Sequence, residues 1–357
     1  MIKVRYPCVE ISLDKIKHNT REIVELCKRN NINVTGVTKV FCGEPKIAKT
    51  MVEGGVQILA DSRIENLIKL KEINVPKMLL RLPMISQADE VIKYSDISLN
   101  SELNIIKELS KKAVEQNKEH KIILMVDLGD LREGIFDEEE IFFVVSEILK
   151  LDGIKLIGIG TNLTCYGGVI PKYENLSKLV KIKMNIEKKF NIELDIISGG
   201  NSSSLYLLKA GEMPKKINQL RLGESIVLGR ETAYGESIEN TYDDCFKLIV
   251  EIIEIKEKPS VPIGEIGMDA FGNKPTFIDK GIMKRAICAI GKQDVDLGDI
   301  IPYDKNIEIL GESSDHLILD ITKCEKNYEV GDNVEFKLTY GGILKVMTSE
   351  YVKKNFV

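Results

Sequence analysis

Hydrophobic and polar positions in the first two thirds of the chain repeat in one pattern. A short apolar, β-branched run is followed by a longer segment in which apolar residues recur every three or four positions. The first kind of segment predicts a buried strand and the second an amphipathic helix. The predicted strands are, in order, NVTGVTK, VQILAD, KMLLRLP, DISLNS, KIILMVDLG, IKLIGIGTN, LDIISGG and QLRLGES.

This β–α alternation recurs about eight times over roughly 200 residues, which is typical of a (β/α)8 TIM barrel. A doubly wound open sheet is the alternative, but such a sheet usually has a glycine-rich turn after its first strand. The segment KVFCGEP (Lys39–Pro45) is a poor match to that turn. We therefore expect an α/β protein built on a closed barrel.

The helical periodicity disappears after residue 235. Strand-like segments such as FKLIVEIIEIKEKP, KRAICAIGK and NVEFKLTYGG follow it, joined by turn-forming residues. We therefore expect two domains, a barrel over residues 9–235 and a smaller C-terminal, mostly β domain over residues 236–357. The first residues, 1–8, precede the first barrel helix and are assigned to the second domain.

Composition and charge argue against nucleic-acid-binding and membrane-spanning proteins. Hydrophobic residues make up 43% of the 357 residues and charged residues 29%, with a net charge of −5. A nucleic-acid-binding protein would be expected to carry a basic face, and a membrane span would need about 18 consecutive apolar residues. Seven widely spaced cysteines without a C-x-x-C motif fit reduced thiols in the cytoplasm. We expect a cytoplasmic protein without nucleic-acid, membrane or metal binding.

Polar side chains follow the predicted barrel strands at the point where each strand ends. Barrel enzymes carry their chemistry at these ends, so the residues are candidates for one shared site. Any one of them could simply begin a polar loop, but together they converge on one mouth. They are Lys39, Asp61, Arg63, Arg81, Asn100, Asp127, Arg132, Asn162, Asn201, Ser202, Ser203, Ser204, Arg221, Gly223 and Glu224.

Two loops of small residues have the composition of a phosphate site. SGGNSSS (Ser198–Ser204) and LRLGES (Leu220–Ser225) offer glycines for close backbone approach and hydroxyls as donors. They follow the predicted seventh and eighth strands, where barrel enzymes commonly bind phosphate. Together with Lys39 they suggest a phosphorylated aldehyde held covalently on a lysine amine. A lysine whose stem merely lines the barrel is the structural alternative.

Several longer segments resemble the alanine-racemase-like, fold-type III pyridoxal-phosphate enzymes. They include Lys39 at its strand end, MVDLGDLREG (Met125–Gly134), SGGNSSS and LRLGE. More narrowly, NLTCYG, LGRETAYGE, IGEIGMDAFGNKP and SSDHLILD look like the ornithine-racemase branch of that family. The resemblance covers nearly the whole chain. It implies pyridoxal 5'-phosphate as cofactor, ornithine or a related basic amino acid as substrate, and a homodimer with active sites shared across the interface.

The resemblance also implies a role for each matched residue. Lys39 would carry the cofactor and act as one of two bases. Arg132 would face the cofactor's phenolic oxygen and the substrate carboxylate. Arg221 would face the pyridine nitrogen, and Gly223 would lie at the phosphate. The other implied cofactor-site residues are Asn162, Asn201, Ser202, Ser203, Glu224 and Tyr340.

Departures from the family pattern leave the opposite-face base open. The family's tyrosine four residues after the lysine is Gly43 here, and its histidine after the sixth strand is Asn162. The tyrosine that serves alanine racemases as second base has no clear counterpart. His316 and Asp315, in the SSDH segment, are candidates for this base, as is Lys292, while Cys165 is a weaker one.

The distal amine of a basic substrate needs an acidic or strongly polar partner, for which Asp269, Glu236 and Asp315 are candidates. The resemblance thus favours a racemase that interconverts L- and D-ornithine by two-base transfer of the α-proton. A lysine or broad basic-amino-acid racemase, an alanine or serine racemase and a decarboxylase on the same scaffold are the enzymatic alternatives. A non-catalytic pyridoxal-phosphate-binding homeostasis protein is the alternative from another class.

Overall fold

The structure is a computed structural model that describes residues 5–269 and 271–357. Of the N-terminal segment expected in the second domain, residues 1–4 lie outside this range. The chain divides into two compact units, which we call the barrel unit (Leu13–Asp243) and the β unit (residues up to Ser12 together with Asp244–Val357). The barrel unit begins four residues and ends eight residues later than the boundaries expected from the sequence.

The barrel unit is a closed barrel of parallel strands surrounded by helices, so the predicted (β/α)8 architecture is confirmed. The last strand pairs with the first, Asn33 lying opposite Gln219. Numbered along the chain, its strands are β2 (Asn33–Val37), β3 (Ile58–Asp61), β4 (Lys77–Leu79), β5 (Ile97–Asn100), β6 (His120–Met125), β7 (Ile154–Gly160), β8 (Ile196–Ser198) and β9 (Gln219–Leu222). Its helices are α1 (Leu13–Lys28), α2 (Pro45–Glu53), α3 (Ile64–Lys69), α4 (Ala88–Tyr94), α5 (Leu103–Glu115), α6 (Glu138–Ile148), α7 (Tyr173–Phe190), α8 (Tyr206–Ala210) and α9 (Glu224–Leu228).

The barrel core follows from the two periodicities of the sequence. Alternate residues of a strand face the same side, so β5 buries Ile97 and Leu99 in one cluster with Ile123 and Met125 of β6. Full burial of such a side chain contributes about 1.5–3 kcal/mol. The remaining members of this cluster are Val37, Ala60, Met78 and Ile157. The alternating apolar positions thus decide which strand residues the barrel encloses.

A glycine allows two strands that lead to the site to approach closely. At Gly158 in β7, a Cβ atom would lie 2.3 Å from the carbonyl oxygen of Ile196 in β8, a separation that no larger residue tolerates. Both strands end within a few residues of this contact. The polar residues that follow β7 and β8 are therefore brought close together.

The β unit is built on antiparallel strands in the order β12-β15-β10-β11-β14-β13, with β1 pairing with β10 and β16. In the long strand β10, Phe246, Leu248, Val250 and Ile252 are buried at every second position, as expected for a sheet with one covered face. The elements of this unit are β1 (Cys8–Ile11), β10 (Phe246–Pro259), β11 (Ile282–Cys288), β12 (Ile300–Pro302), β13 (Glu308–Glu312), β14 (Leu317–Asp320), β15 (Asn333–Leu338), α10 (Tyr340–Thr348) and β16 (Lys353–Phe356). Across the described ranges of both units, no helix combines the length and apolarity needed to cross a membrane.

A buried histidine lies at the start of β6. The His120 ring is 2% exposed, and its Nε2 lies 2.8 Å from Ser98 Oγ. Ser98 Oγ also accepts a hydrogen bond from Asn100 Nδ2 (2.8 Å), and its hydroxyl proton remains available to donate to a neutral imidazole. Burial lowers the pKa of His120 to about 4. The neutral ring is therefore part of the folded state.

This histidine predicts a loss of stability in mild acid. The unfolded chain takes up a proton near the ordinary histidine pKa, whereas the folded chain resists it, so stability is full above that value and falls as the pH drops towards 4. At pH 5 the loss should be about 2 kcal/mol. Urea unfolding at pH 7.5 and pH 5 should show a smaller acid-induced loss for His120→Gln than for the wild type. Equal losses in both proteins would contradict the assignment.

Candidate active site

Lys39 lies directly after the first barrel strand, in a short 3-10 turn (Lys39–Phe41). Its backbone is fixed by the preceding residue, because Thr38 Oγ1 donates to Asp61 Oδ2 (2.6 Å) at the end of β3. Asp61 also accepts from Asn66 Nδ2 (3.1 Å) and from the Arg63 backbone amide (2.9 Å), while burial raises its pKa. The Lys39 side chain is exposed. The backbone at Lys39 is thus held in place, while the Lys39 side chain projects from the end of β2.

The amine of Lys39 lies near the loop that follows β7. Burial raises the pKa of the Cys165 thiol in that loop, and the positive charges of Arg132 and Lys39 act in the opposite direction. Cys165 Sγ also accepts a hydrogen bond from Asn201 Nδ2 (3.4 Å). Residues that follow β6, β7 and β8 therefore lie close to this thiol, and the charge of Lys39, which follows β2, acts on it as well.

Arg221 in β9 carries a guanidinium that is almost fully enclosed by the barrel, the residue being 3% exposed. It donates to Ser198 Oγ, to the Thr161 carbonyl oxygen (2.6 Å) and to Asn162 Oδ1 (3.1 Å). Burial lowers its pKa to about 10, and the charge of Glu133 opposes the shift. The group therefore stays protonated at neutral pH and is held by acceptors from the ends of β7 and β8.

Arg132 forms an ion pair with its neighbour Glu133. Arg132 Nε donates to Glu133 Oε2, and Arg132 Nη2 donates to Glu133 Oε1 (2.7 Å). Glu133 Oε1 also accepts from Asn162 Nδ2 (2.8 Å), so this carboxylate connects the Arg132 side chain to the surroundings of Arg221. Glu133 was not among the residues predicted from the sequence. A charged residue between Arg132 and Gly134 in the LREG segment was the available signal.

The glycine–serine loop after β8 forms a turn with an unused hydroxyl. Asn201 Oδ1 accepts from the Ser203 amide (2.9 Å), and Ser202 Oγ donates to Ser225 Oγ (3.1 Å) next to β9. Ser203 Oγ is buried and has no hydrogen-bond partner among the described residues. Gly200 has a φ of +106°, which favours glycine. A buried hydroxyl without a partner, in a loop of small residues, fits a phosphate ligand.

In the loop after β9, the backbone at Gly223 lies close to β2. A Cβ atom at Gly223 would lie 3.1 Å from Val37 Cβ and 3.2 Å from the Val37 carbonyl oxygen, so the glycine keeps β9 and β2 in contact at the mouth. Glu224 begins α9 and accepts from Arg230 Nη2 (2.7 Å). The Glu224 carboxylate is therefore engaged by an arginine of its own loop.

Two departures from the family pattern have a structural reason. Gly43 has a φ of +62°, and a Cβ atom there would lie 2.8 Å from Asn66 Cβ, which excludes a side chain at this position. Asn162 accepts from Arg221 and from Asn201 Nδ2 (3.2 Å) while it donates to Glu133. The Asn162 amide thus donates to one partner and accepts from two. An imidazole ring has two nitrogens and could not make all three hydrogen bonds.

Four other predicted site residues belong to the β unit. The exposed Asp269 accepts from the amides of Phe271 (2.9 Å) and Asn273 (2.8 Å), and thus folds its own loop. His316 and Asp315 are exposed in the turn before β14, where Asp315 accepts from Ser314 Oγ (2.6 Å). Tyr340 begins α10.

Glu236, the other candidate for the substrate amine, lies in the barrel unit. Its side chain is exposed, and its backbone amide donates to Glu231 Oε1 (2.8 Å). The buried Glu231 also accepts from the amides of Ala233 (2.7 Å) and Tyr234 (3.0 Å), so it organises the loop that displays Glu236.

Comparison with known proteins agrees with this geometry. The family model described as alanine racemase, N-terminal domain, matches residues 11–231. An ornithine racemase of Acetoanaerobium sticklandii is 51% identical over 352 residues, covering 99% of this chain and 100% of the relative. A lysine racemase of Thermotoga maritima is 45% identical over 351 residues, covering 98% of each chain.

Solved structures show the same fold at low sequence identity. The alanine racemase of Clostridium difficile 630 aligns with a TM-score of 0.77 at 19% identity, over 99% of this chain and 97% of that one. The alanine racemase of Bartonella henselae, solved with covalently bound pyridoxal phosphate, aligns with a TM-score of 0.74 at 17% identity, over 99% of this chain and 100% of that one. Since the family model spans more than half of the chain and two relatives match it end to end, this protein belongs to the alanine racemase family.

Proposed function

We propose that this protein is a pyridoxal-phosphate-dependent isomerase, an amino-acid racemase that interconverts L- and D-ornithine. The observation that carries the proposal is the 51% identity to an ornithine racemase over 99% of the chain. The geometry supports it, because the lysine, the two arginines and the glycine–serine loop of the sequence motif lie at one barrel mouth. The ornithine-racemase branch suggested by the sequence motifs is the branch to which this relative belongs.

The cofactor would be held by residues of the strand ends. Lys39 would bind its aldehyde covalently, while Asn201, Ser202, Ser203 and the Gly223 amide would hold its phosphate. The buried Ser203 hydroxyl supports this arrangement, since it lacks a partner among the described residues. When bound, pyridoxal phosphate supplies an electron sink that acidifies the substrate's α-carbon. Tyr340, Glu224 and Asn162 are proposed as further residues of the cofactor site.

Arg221 would face the cofactor's ring nitrogen without giving it a proton. Its pKa of about 10 lies well above neutral pH, and its N–H groups already donate to Ser198, Thr161 and Asn162. A guanidinium in this position keeps its own proton, so proton transfer is left to groups at the α-carbon. Racemisation needs one such group on each face of that carbon.

Lys39 would serve one face, and a residue of the SSDH segment, His316 or Asp315, would serve the other. We propose that the second group comes from the β unit of another copy in a head-to-tail homodimer, as the family resemblance implies. The distal amine of the substrate would then pair with Asp269 or Glu236. We propose that the enzyme works in the cytoplasm, which its widely spaced cysteines without a C-x-x-C motif support.

A lysine racemase is the second candidate, because a relative with that name is 45% identical over 98% of the chain. A non-catalytic cofactor-binding protein is not favoured. The curated relatives named as racemases match the β unit as well as the barrel unit, and a single-barrel binding protein has no need of the additional unit.

The covalent assignment predicts modification at Lys39 alone. Borohydride reduction of the protein loaded with pyridoxal phosphate should place the pyridoxyl group on Lys39 in peptide mass spectrometry. Lys39→Ala should lose at least about a thousandfold in racemase activity, because a covalent anchor and a base are removed together. Lys49→Ala, on the exposed face of α2, should behave as the wild type. Pyridoxyl label on another lysine would contradict the assignment.

Ser203 should matter to the cofactor more than to the fold. Ser203→Ala removes a hydroxyl without a protein partner, so the free energy of unfolding of the cofactor-free protein should not decrease. The dissociation constant for pyridoxal phosphate should rise about ten- to a hundredfold, the loss of one hydrogen bond to a charged group. Ser204→Ala is the matched control, since Ser204 Oγ donates to the Gly199 carbonyl oxygen (2.7 Å) and its removal should destabilise the fold. A Ser203 variant that unfolds more easily but binds the cofactor normally would refute the role.

Substrate preference separates the racemase candidates. Chiral chromatography of L-ornithine, L-lysine, L-alanine and L-serine incubated with the loaded enzyme should show the highest kcat/KM for ornithine. No ammonia or carbon dioxide should be released, because only a proton moves. A higher kcat/KM for lysine would establish the second candidate, and carbon dioxide release would indicate a decarboxylase.

A further inference from the structure

Glu133 lies between the two arginines of the candidate active site. We propose that it is a positioning residue that orients Arg132 for the substrate carboxylate and links Arg132, through Asn162, to Arg221. The inference rests on the proposed function, because it concerns how this enzyme would recognise the carboxylate of an amino acid. The sequence motifs alone do not predict a role for Glu133.

The contacts of Glu133 fix one edge of the Arg132 guanidinium. One carboxylate oxygen accepts from Nε and the other from Nη2 (2.7 Å), so the pair is bidentate. The guanidinium has five N–H donors, and this pairing uses one on Nε and one on Nη2. The other edge, formed by Nη1 and the second Nη2 proton, is left to bind a carboxylate in the same bidentate manner.

The position of Glu133 is itself fixed by a third partner. Asn162 Nδ2 donates to Glu133 Oε1 (2.8 Å), while Asn162 Oδ1 accepts from Arg221 Nη2 (3.1 Å) and Asn201 Nδ2 (3.2 Å). The Arg132 side chain is therefore connected to the buried Arg221 through Glu133 and then Asn162. Movement of Glu133 would disturb Arg132 directly and Arg221 through the amide.

The charge of Glu133 agrees with this role. Its burial raises its pKa, but the hydrogen bonds from Arg132 and Asn162 outweigh this effect and lower the pKa overall, so the carboxylate is ionised at neutral pH. The Glu133 side chain is 16% exposed and that of Arg132 is 42% exposed. An ion pair with one partner this open to solvent contributes little to stability, so its main effect should appear in ligand binding.

Two probes of ornithine binding test the proposal. The first, 5-aminopentanoate, keeps the carboxylate and the distal amine but lacks the α-amine. The second, butane-1,4-diamine, keeps both amines but lacks the carboxylate. Binding of each to the loaded enzyme is measured by calorimetry, and KM and kcat are measured for L-ornithine.

In Glu133→Gln, which keeps the size of the side chain but not its charge, we expect the dissociation constant of 5-aminopentanoate and the KM for ornithine to rise about tenfold, because the binding edge is misaligned. The constant for butane-1,4-diamine should stay within about twofold of the wild type. Glu133→Asp should recover part of the loss. Glu115→Gln, which breaks a pair with Lys112 (2.6 Å) on the outer surface of α5, is the control and should change neither constant.

Equal weakening of both probes would mean that Glu133 only maintains the fold, and would overturn the proposal. Unchanged or tighter binding of 5-aminopentanoate would also overturn it, because Glu133 would then merely offset the charge of Arg132. These outcomes differ from failure of the proposed function. In that case the wild-type protein itself would racemise no amino acid, whatever the variants did.

Discussion

The burial of the Arg221 guanidinium is the interaction on which the candidate site depends. A buried cation is tolerated only where fixed acceptors surround it, and here these are Ser198, the Thr161 carbonyl and Asn162. They follow β7 and β8, which Gly158 allows to approach closely. The pairing of β7 with β8, which helps to close the barrel, therefore also sets the positions of the Arg221 acceptors. A change in the spacing of these two strands would leave a buried charge without its acceptors.

A second buried charge fixes the loop after β7. Asp130 is 1% exposed and accepts from the backbone amides of Thr164 (3.1 Å), Cys165 (3.2 Å), Tyr166 (2.9 Å) and Val169 (3.0 Å). Although burial raises its pKa, these amides lower it overall. The loop is therefore held in one conformation by the segment that also carries Arg132. Functional side chains on such a loop are positioned before any ligand binds.

The sequence predicted the barrel and much of its mouth because both depend on local patterns. Strand and helix periodicities identified the elements, and the ends of the strands identified Lys39, Arg132 and Arg221. The ion pair of Arg132 with Glu133 could not be predicted in this way, since adjacent residues in an irregular loop have no fixed relative direction. Likewise, nothing in the sequence revealed that Asp269 accepts from the amides of its own loop. Interactions that depend on side-chain orientation appeared only in three dimensions.

The charged side chains of the barrel mouth carry a net positive charge. Lys39 and Arg132 both place positive charge near Cys165, and Arg221 adds a third cation within reach of Glu133. Glu133 lies between the two arginines and Asp130 holds the neighbouring loop, so these three cations face two carboxylates and one positive charge remains in excess. A phosphate beside the glycine–serine loop and a substrate carboxylate on Arg132 would each reduce that excess. The same electrostatics that would bind the cofactor's phosphate would then favour amino acids over simple amines, and a distal ammonium would need an acidic residue outside this cluster.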